Sequence, residues 1–162
     1  LNETVPRALA LLSTKQRPLV RHQAGERTLA VAERAYADAG VTADVTPFIT
    51  DMSEAYGWAD LVLCRSGALT VSELAAAGVP AVFVPYPHAV DDHQVGNARY
   101  LSDAGAARLI IQRDLTVEGL AAALAELLAD PAQRLSMAEA ARAKAKVDAA
   151  ERIADVCLEL AR

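Results

Sequence analysis

DLVLCRSGALTVSELAAAGVPAVFVP, residues 60–85, is the stretch that decides the fold. Asp60 to Cys64 and Pro80 to Pro85 are short, nearly unbroken apolar runs of the kind parallel strands show when both faces are covered. Between them LTVSELAAA, residues 69–77, is a helix, ended by Gly78 just beyond its last turn. Strand, helix, strand in this order is a crossover unit, and such units are right-handed.

The same alternation extends in both directions. Upstream, residues 3–14 have a helical apolar pattern, Pro18–Gln23 is a strand, and residues 26–39 form a helix stopped by Gly40. Asp44–Ile49 is a second strand, and Asp51–Tyr56 a short helix with Asp51 as its cap. Downstream, residues 94–104 are helical, Ala107–Ile111 is the last strand, and Val117 to Leu128 carry an apolar face at helix spacing. Asp130-Pro131 opens another helix. Asp148 and Glu151 form a capping pair for a final amphipathic one. Five strands separated by helices make a doubly wound α/β sheet. Such sheets bind ligands beyond the carboxyl ends of their strands, which directs attention to the loops after Gln23, Ile49, Cys64 and Pro85.

Composition narrows the function. The 162 residues suit one domain, and 53% apolar content with 23% charged is that of a folded chain. A net charge of −5 argues against a nucleic-acid partner, which requires clustered Lys and Arg. Cys64 and Cys157 lack metal-ligand spacing and read as reduced, buried thiols of a cytosolic protein. No run approaches the ~20 apolar residues that span a bilayer, and no signal peptide is visible. GxGxxG, a phosphate loop ending in Gly-Lys-Ser/Thr, and Gly-x-Ser-x-Gly are all missing, which disfavours a dehydrogenase, an NTPase and an α/β-hydrolase.

Three ligand-edge segments carry chemistry. In the first, Ser66, Gly67 and Ala68 separate a buried strand from a helix opening at Leu69 and Thr70. The unpaired N–H groups there suit a diphosphate, although a plain tight turn has the same sequence. Glu73 fits two roles equally: closing a capping box with Thr70, or accepting hydrogen bonds from a ribose diol. The second segment, Pro85–Asn97, gathers His88, Asp91, Asp92, His93, Gln94 and Asn97, which suit sugar hydroxyls better than a metal; a solvated loop is the alternative. The third is Phe48-Ile49-Thr50-Asp51-Met52, which could hold a flat base or be a core Phe beside a helix cap. His22 reads as a structural histidine.

Taken together, FITDM (48–52), AYGWADLVLCRSGALTVSELAAAGVPAVFVPYPHAVDDHQVGNA (55–98) and LSDAGAARLI (101–110) resemble the MurG family, the undecaprenyldiphospho-muramoylpentapeptide β-N-acetylglucosaminyltransferases. RSGALTVSE is its most specific string. The resemblance covers essentially the whole chain and implies an α/β fold: a Rossmann-like parallel sheet with helices on both faces, the C-terminal half of a GT-B enzyme with its first strand missing. Residues 1–162 would then be a single donor-binding domain, a fragment of a two-domain enzyme. The sequence begins after the point where the family has that strand and a glycine-rich loop, and the N-terminal domain with its proposed base lies outside it.

The resemblance further implies binding of UDP-GlcNAc without cofactor or metal. Phe48, Ile49 and Met52 would frame the uracil, with the Ile49 backbone reading its edge. Ala68, Leu69 and Thr70 would lie against the ribose-diphosphate by backbone contact, after the small Ser66 and Gly67 that let a ligand approach, and Glu73 would bond the ribose. Gln94 would bond the GlcNAc hydroxyls, with His93 and Asn97 beside it. No catalytic residue is expected here, and lipid I and membrane contacts would belong to the N-terminal domain. The implied place is the cytoplasmic face of the bacterial inner membrane, this part being soluble. Rival readings are the donor-binding subunit of a split transferase, a UDP-sugar epimerase of GT-B architecture, and a non-enzymatic interaction domain.

Overall fold

A computed structural model of the chain describes residues 1–87 and 93–161. The strands are β1 (Arg21–Gln23), β2 (Asp44–Thr46), β3 (Val62–Cys64), β4 (Ala81–Phe83) and β5 (Ala107–Leu109). The α-helices are α1 (Thr4–Ala10), α2 (Leu29–Ala39), α3 (Met52–Trp58), α4 (Ala68–Ala77), α5 (His93–Ser102), α6 (Val117–Ala129), α7 (Pro131–Ala143) and α8 (Ala149–Leu160). Every expected strand and helix exists, and every strand pairing is parallel. The strands are shorter than the apolar runs suggest, because ladder pairing ends before the apolar residues do. They pair as β1–β2 and as β3–β4–β5.

The chain forms two compact units, Leu1–Ala59 with Ile111–Leu135, and Asp60–Ile110 with the residues from Ser136 onward. In the first, Arg21 pairs with Asp44 and Gln23 with Thr46. The ladder runs on past the strands, with Ala24 N donating to Thr46 O at 2.8 Å and Gly25 N to Pro47 O at 3.1 Å. Helix α1 packs on α2 and α6, burying Ala8, Leu9, Leu12, Ala32, Tyr36, Leu120, Leu124 and Leu127. Arg21 fastens α3 to β1, ion-paired with Glu54 at 2.7 Å and lying 4.5 Å over the Trp58 ring. Asp51 caps α3, accepting from Glu54 N at 2.8 Å, a contact of the type that contributes ~1 kcal/mol.

In the second unit β4 is central, and Ala81, Val82, Phe83 and Val84 have no exposed surface. Burying each Val or Phe side chain contributes ~1.5–3 kcal/mol. Helix α5 packs on β5 and α4, adding buried Ala98 and Leu101 to Leu74 and Ala75 of α4. Gly78 ends α4 with φ 69°, a left-handed turn that glycine adopts without strain. Tyr100 donates to Lys144 O at 2.6 Å, and the Lys144 ammonium lies 5.2 Å from its ring.

Two expectations change at the C-terminus. Asp148 makes no side-chain cap, and none of α8 is buried. Cys157 is therefore exposed and not a core thiol, because every residue of α8 is exposed.

His22 is structural, as its sequence context suggests. Nδ1 is 3.0 Å from Tyr36 Oη and Nε2 3.1 Å from Asn2 Oδ1. Because Asn2 donates its amide to Ala24 O at 3.0 Å, its Oδ1 faces the ring. Nε2 thus carries the proton and Nδ1 accepts from Tyr36. Burial lowers the His22 pKa from 6.5 and pushes the Tyr36 phenol up to about 12. A lowered histidine pKa means that protons favour the unfolded chain. The stabilisation is fully present above 6.5 and is lost as the pH falls through the depressed folded-state value. The urea midpoint should therefore drop between about pH 7.5 and about pH 5, and more steeply in the wild type than in His22→Gln. Equal pH dependence of the two would remove His22 from this role.

Candidate functional site

In the second unit, the turn after β3 and the first turn of α4 form the strongest candidate. Helix α4 starts at Ala68 with Gly67 as its N-cap, and no side chain caps it. The first helical bond runs from Val71 N to Gly67 O at 3.0 Å. The N–H groups of Ala68, Leu69 and Thr70 therefore have no acceptor within the helix. Ala68 is exposed and Leu69 is 79% exposed, so solvent reaches this end. Three N–H groups without an acceptor among the described residues, at the positive end of a ten-residue helix, suit an anion.

The start of α4 also decides the two readings of Thr70 and Glu73. A capping box needs Thr70 at the N-cap. With Gly67 there, Thr70 is the third helical residue and Glu73 sits on the second turn, exposed. The capping box is excluded, and the carboxylate lies on the same helix one turn beyond the free N–H groups. Gly67 has φ −60°, and a Cβ there would meet only Thr70 Oγ1 at 3.7 Å. The fold itself does not demand a glycine at this position.

The turns after β3 and β4 are bound to the start of α5. Ser66 has no exposed surface; its Oγ donates to Gln94 O at 2.7 Å, and its own carbonyl accepts from Asn97 Nδ2 at 3.1 Å. The Gln94 side chain accepts from Tyr86 N at 2.8 Å through Oε1. Since a backbone N–H can only donate, the Gln94 Nε2 group is turned away from Tyr86. Ser66 and Asn97, both expected against the ligand, thus spend these polar groups on one another and on backbone. His93, the first residue of α5, is exposed. His88, Asp91 and Asp92 lie outside the described residues.

Arg65 and Tyr86 carry no role in the sequence reading. Arg65 Nη1 donates to Val84 O and Pro85 O, both at 2.9 Å, and the guanidinium lies 5.5 Å from the Tyr86 ring. Burial pulls its pKa down, with Tyr86 opposing. The signal was present: a cation directly after a buried strand, at the ligand edge. Cys64 beside it is no nucleophile, because burial pushes its thiol up to about 12. Among the described residues no three His, Cys, Asp or Glu side chains gather to hold a metal ion.

In the first unit, the loop after β2 carries the other expected residues. Phe48 is 65% exposed, which rules out the core reading of this ring. Met52 opens α3, half-buried. Ile49, also half-buried, donates its N–H to Gln23 Oε1 at 2.9 Å.

The glycosyltransferase family 28 C-terminal domain matches residues 1–153. The chain is 57% identical over 160 residues to the UDP-N-acetylglucosamine–N-acetylmuramyl-(pentapeptide) pyrophosphoryl-undecaprenol N-acetylglucosamine transferase of Marinobacter nauticus, covering 99% of this chain and 44% of that protein. It is 56% identical over 162 residues to the protein of the same name from Alkalilimnicola ehrlichii, covering 100% of this chain and 45% of the relative. Among solved structures, Acinetobacter baumannii MurG superposes with a TM-score of 0.90 at 44% identity, over 98% of this chain and 48% of that one. The chain thus spans less than half the length of the curated relatives it matches.

Ser66→Ala should destabilise the chain by ~1–3 kcal/mol, because the Gln94 carbonyl loses a donor that is itself buried. Urea unfolding measures this. A change within error would mean that water replaces the hydroxyl and that the turn does not depend on it.

Proposed function

Because the chain belongs to glycosyltransferase family 28 through its C-terminal domain, we propose that it is the UDP-GlcNAc-binding part of the enzyme that converts lipid I to lipid II. The uncapped N-terminus of α4, with Glu73 one turn further on, is the observation that carries this reading. In the second unit, the Ala68, Leu69 and Thr70 N–H groups bind the diphosphate, Glu73 accepts from the ribose hydroxyls, and Gln94 meets the GlcNAc hydroxyls. Ser66 and Asn97 hold these groups in position. In the first unit, Phe48 and Met52 receive the uracil and the Ile49 backbone reads its edge.

The reaction is an inverting displacement at the anomeric carbon of GlcNAc. The C4 hydroxyl of the muramoyl residue attacks, the bond to the UDP oxygen breaks, and the hydroxyl proton passes to a base. This chain's part is the leaving group. Negative charge grows on the diphosphate as the bond breaks, and the α4 N–H groups oppose it without having to reorient. A helix end built before the reaction stabilises that charge more than mobile water does. The base and the lipid site belong to the N-terminal portion that the longer relatives have, and so does membrane contact. No helix among the described residues is long and apolar enough to cross a membrane.

Calorimetric titration tests the binding. UDP-GlcNAc and UDP should bind and NAD should not, and Glu73→Ala should weaken both uridine ligands by about 10- to 100-fold, the worth of hydrogen bonds to a charged acceptor. Binding that ignores Glu73 would remove it from the ribose, and the absence of any uridine selectivity would overturn the proposal. Incubated with lipid I and UDP-GlcNAc, this chain alone should make no lipid II; product would show that the acceptor machinery lies within these residues.

A further inference from the structure

Arg65 follows β3 directly, a cation at the carboxyl edge of the sheet and close in sequence to the start of α4. A diphosphate is the partner such a position suggests, yet Nη1 is turned to the backbone, donating to Val84 O and Pro85 O, both at 2.9 Å. Val84 N donates to Cys64 O at 2.9 Å, a bond that carries the β3–β4 ladder just past β4. The next residue is Pro85, which has no N–H with which to continue it. The guanidinium takes over where the ladder stops, its two Nη1 protons reaching one carbonyl each. The same guanidinium lies 5.5 Å from the centroid of the Tyr86 ring. Tyr86 N in turn donates to Gln94 Oε1 at 2.8 Å, and Gln94 O accepts from the buried Ser66 hydroxyl at 2.7 Å. The backbone of Gln94 is thus held by the turn after β3, and its side chain by the segment that Arg65 grips.

We propose that Arg65 is a positioning residue for the sugar end of the donor site and not a counter-ion of the diphosphate. It acts through Val84, Pro85 and Tyr86 on the amide of Gln94, a role that rests on the proposed contact of Gln94 with the GlcNAc hydroxyls. The Tyr86 N–H orients Gln94 Oε1, so the direction in which Nε2 donates is set by where Tyr86 stands. Tyr86 comes directly after the two carbonyls that Arg65 holds, and its ring lies against the same cation. Without the guanidinium, Val84 is still anchored through its N–H, but Pro85 and Tyr86 lose their hold on β3. The Gln94 amide then has to be ordered when the sugar binds, which weakens that contact. Lysine is no substitute, because its ammonium is a point charge on a flexible stem with no planar fork and no flat face for the ring. The proposed diphosphate and ribose contacts, at the start of α4 and at Glu73, do not run through this chain of bonds.

The test is titration of UDP-GlcNAc and UDP into the wild-type chain, Arg65→Met, Gln94→Ala and the double variant, read as the affinity for UDP-GlcNAc relative to that for UDP. Arg65→Met should lower this ratio about tenfold, the value of one hydrogen bond, with UDP binding itself unchanged. Residues that act through one another are not additive, so the double variant should lose no more than Gln94→Ala alone. An arginine that only supports the fold would shift the unfolding curve and leave the ratio where it was, which would overturn the proposal. Equal losses for both ligands would overturn it by making Arg65 a partner of the diphosphate, and additive losses in the double variant would break the link to Gln94. A ratio that Gln94→Ala leaves at the wild-type value would remove Gln94 from the sugar and overturn the donor-site reading on which the role of Arg65 rests. If Arg65→Met unfolds early, Arg65→Lys, which keeps the charge, replaces it with the same expected fall, and an unchanged ratio in that variant would overturn the proposal.

Discussion

A buried hydroxyl has to be paired, and Ser66 is the point at which this constraint organises the second unit. It has no exposed surface, so an unpaired Oγ would cost ~1–3 kcal/mol. Its partner is the Gln94 carbonyl, and the Ser66 carbonyl is in turn bound by Asn97. These two bonds fasten the turn after β3 to the first turns of α5. Arg65 adds the segment after β4 by holding the Val84 and Pro85 carbonyls. Both turns at the carboxyl edge of the sheet are thus tied by side chains to elements about 20 to 30 residues away, with sequence separations of 19, 20, 28 and 31. The start of α4 follows Ser66 directly, and its open N–H groups inherit that fixed position.

The first unit repeats the device with another side chain. Parallel strands leave their carboxyl ends as loose loops unless something beyond the ladder holds them. Gln23 supplies that hold, reaching from the end of β1 to Ile49 after β2. In both units a glutamine offers its oxygen to a backbone N–H, Gln94 to Tyr86 and Gln23 to Ile49. Among the described residues each glutamine keeps its amide protons unpaired, groups that suit the hydroxyls and carbonyls of a nucleotide sugar. A glutamate in either place could brace the loop but not donate.

Much of the fold was legible in the sequence because its signals are local. The apolar runs at 60–64 and 80–85 marked parallel strands, Gly40 and Gly78 marked helix ends with left-handed φ, and Asp51 marked a cap that the structure contains. Local signals also misled. Thr70 and Glu73 have capping-box spacing, yet the helix begins two residues before Thr70, at Ala68, with Gly67 in the N-cap position. Asp148 and Glu151 have cap spacing too, but Asp148 makes no cap bond and α8 buries nothing. A spacing rule says which pairs could meet and not where the helix starts.

What the sequence determined by itself is the kind and order of the elements, the parallel sense of the strands, and the loops at the carboxyl ends of those strands. These follow from periodicity and from turn residues, which act over a few positions. What only the tertiary structure decided is the state of each polar side chain in those loops. Ser66 and Asn97 are spent on holding the turns, Gln94 and Gln23 keep their donors, Phe48 is exposed, and Glu73 is released from capping. The physical reason is that a hydrogen bond between residues 26 or 31 positions apart exists only once the strands have brought their ends together. No local pattern records which partner will be waiting there.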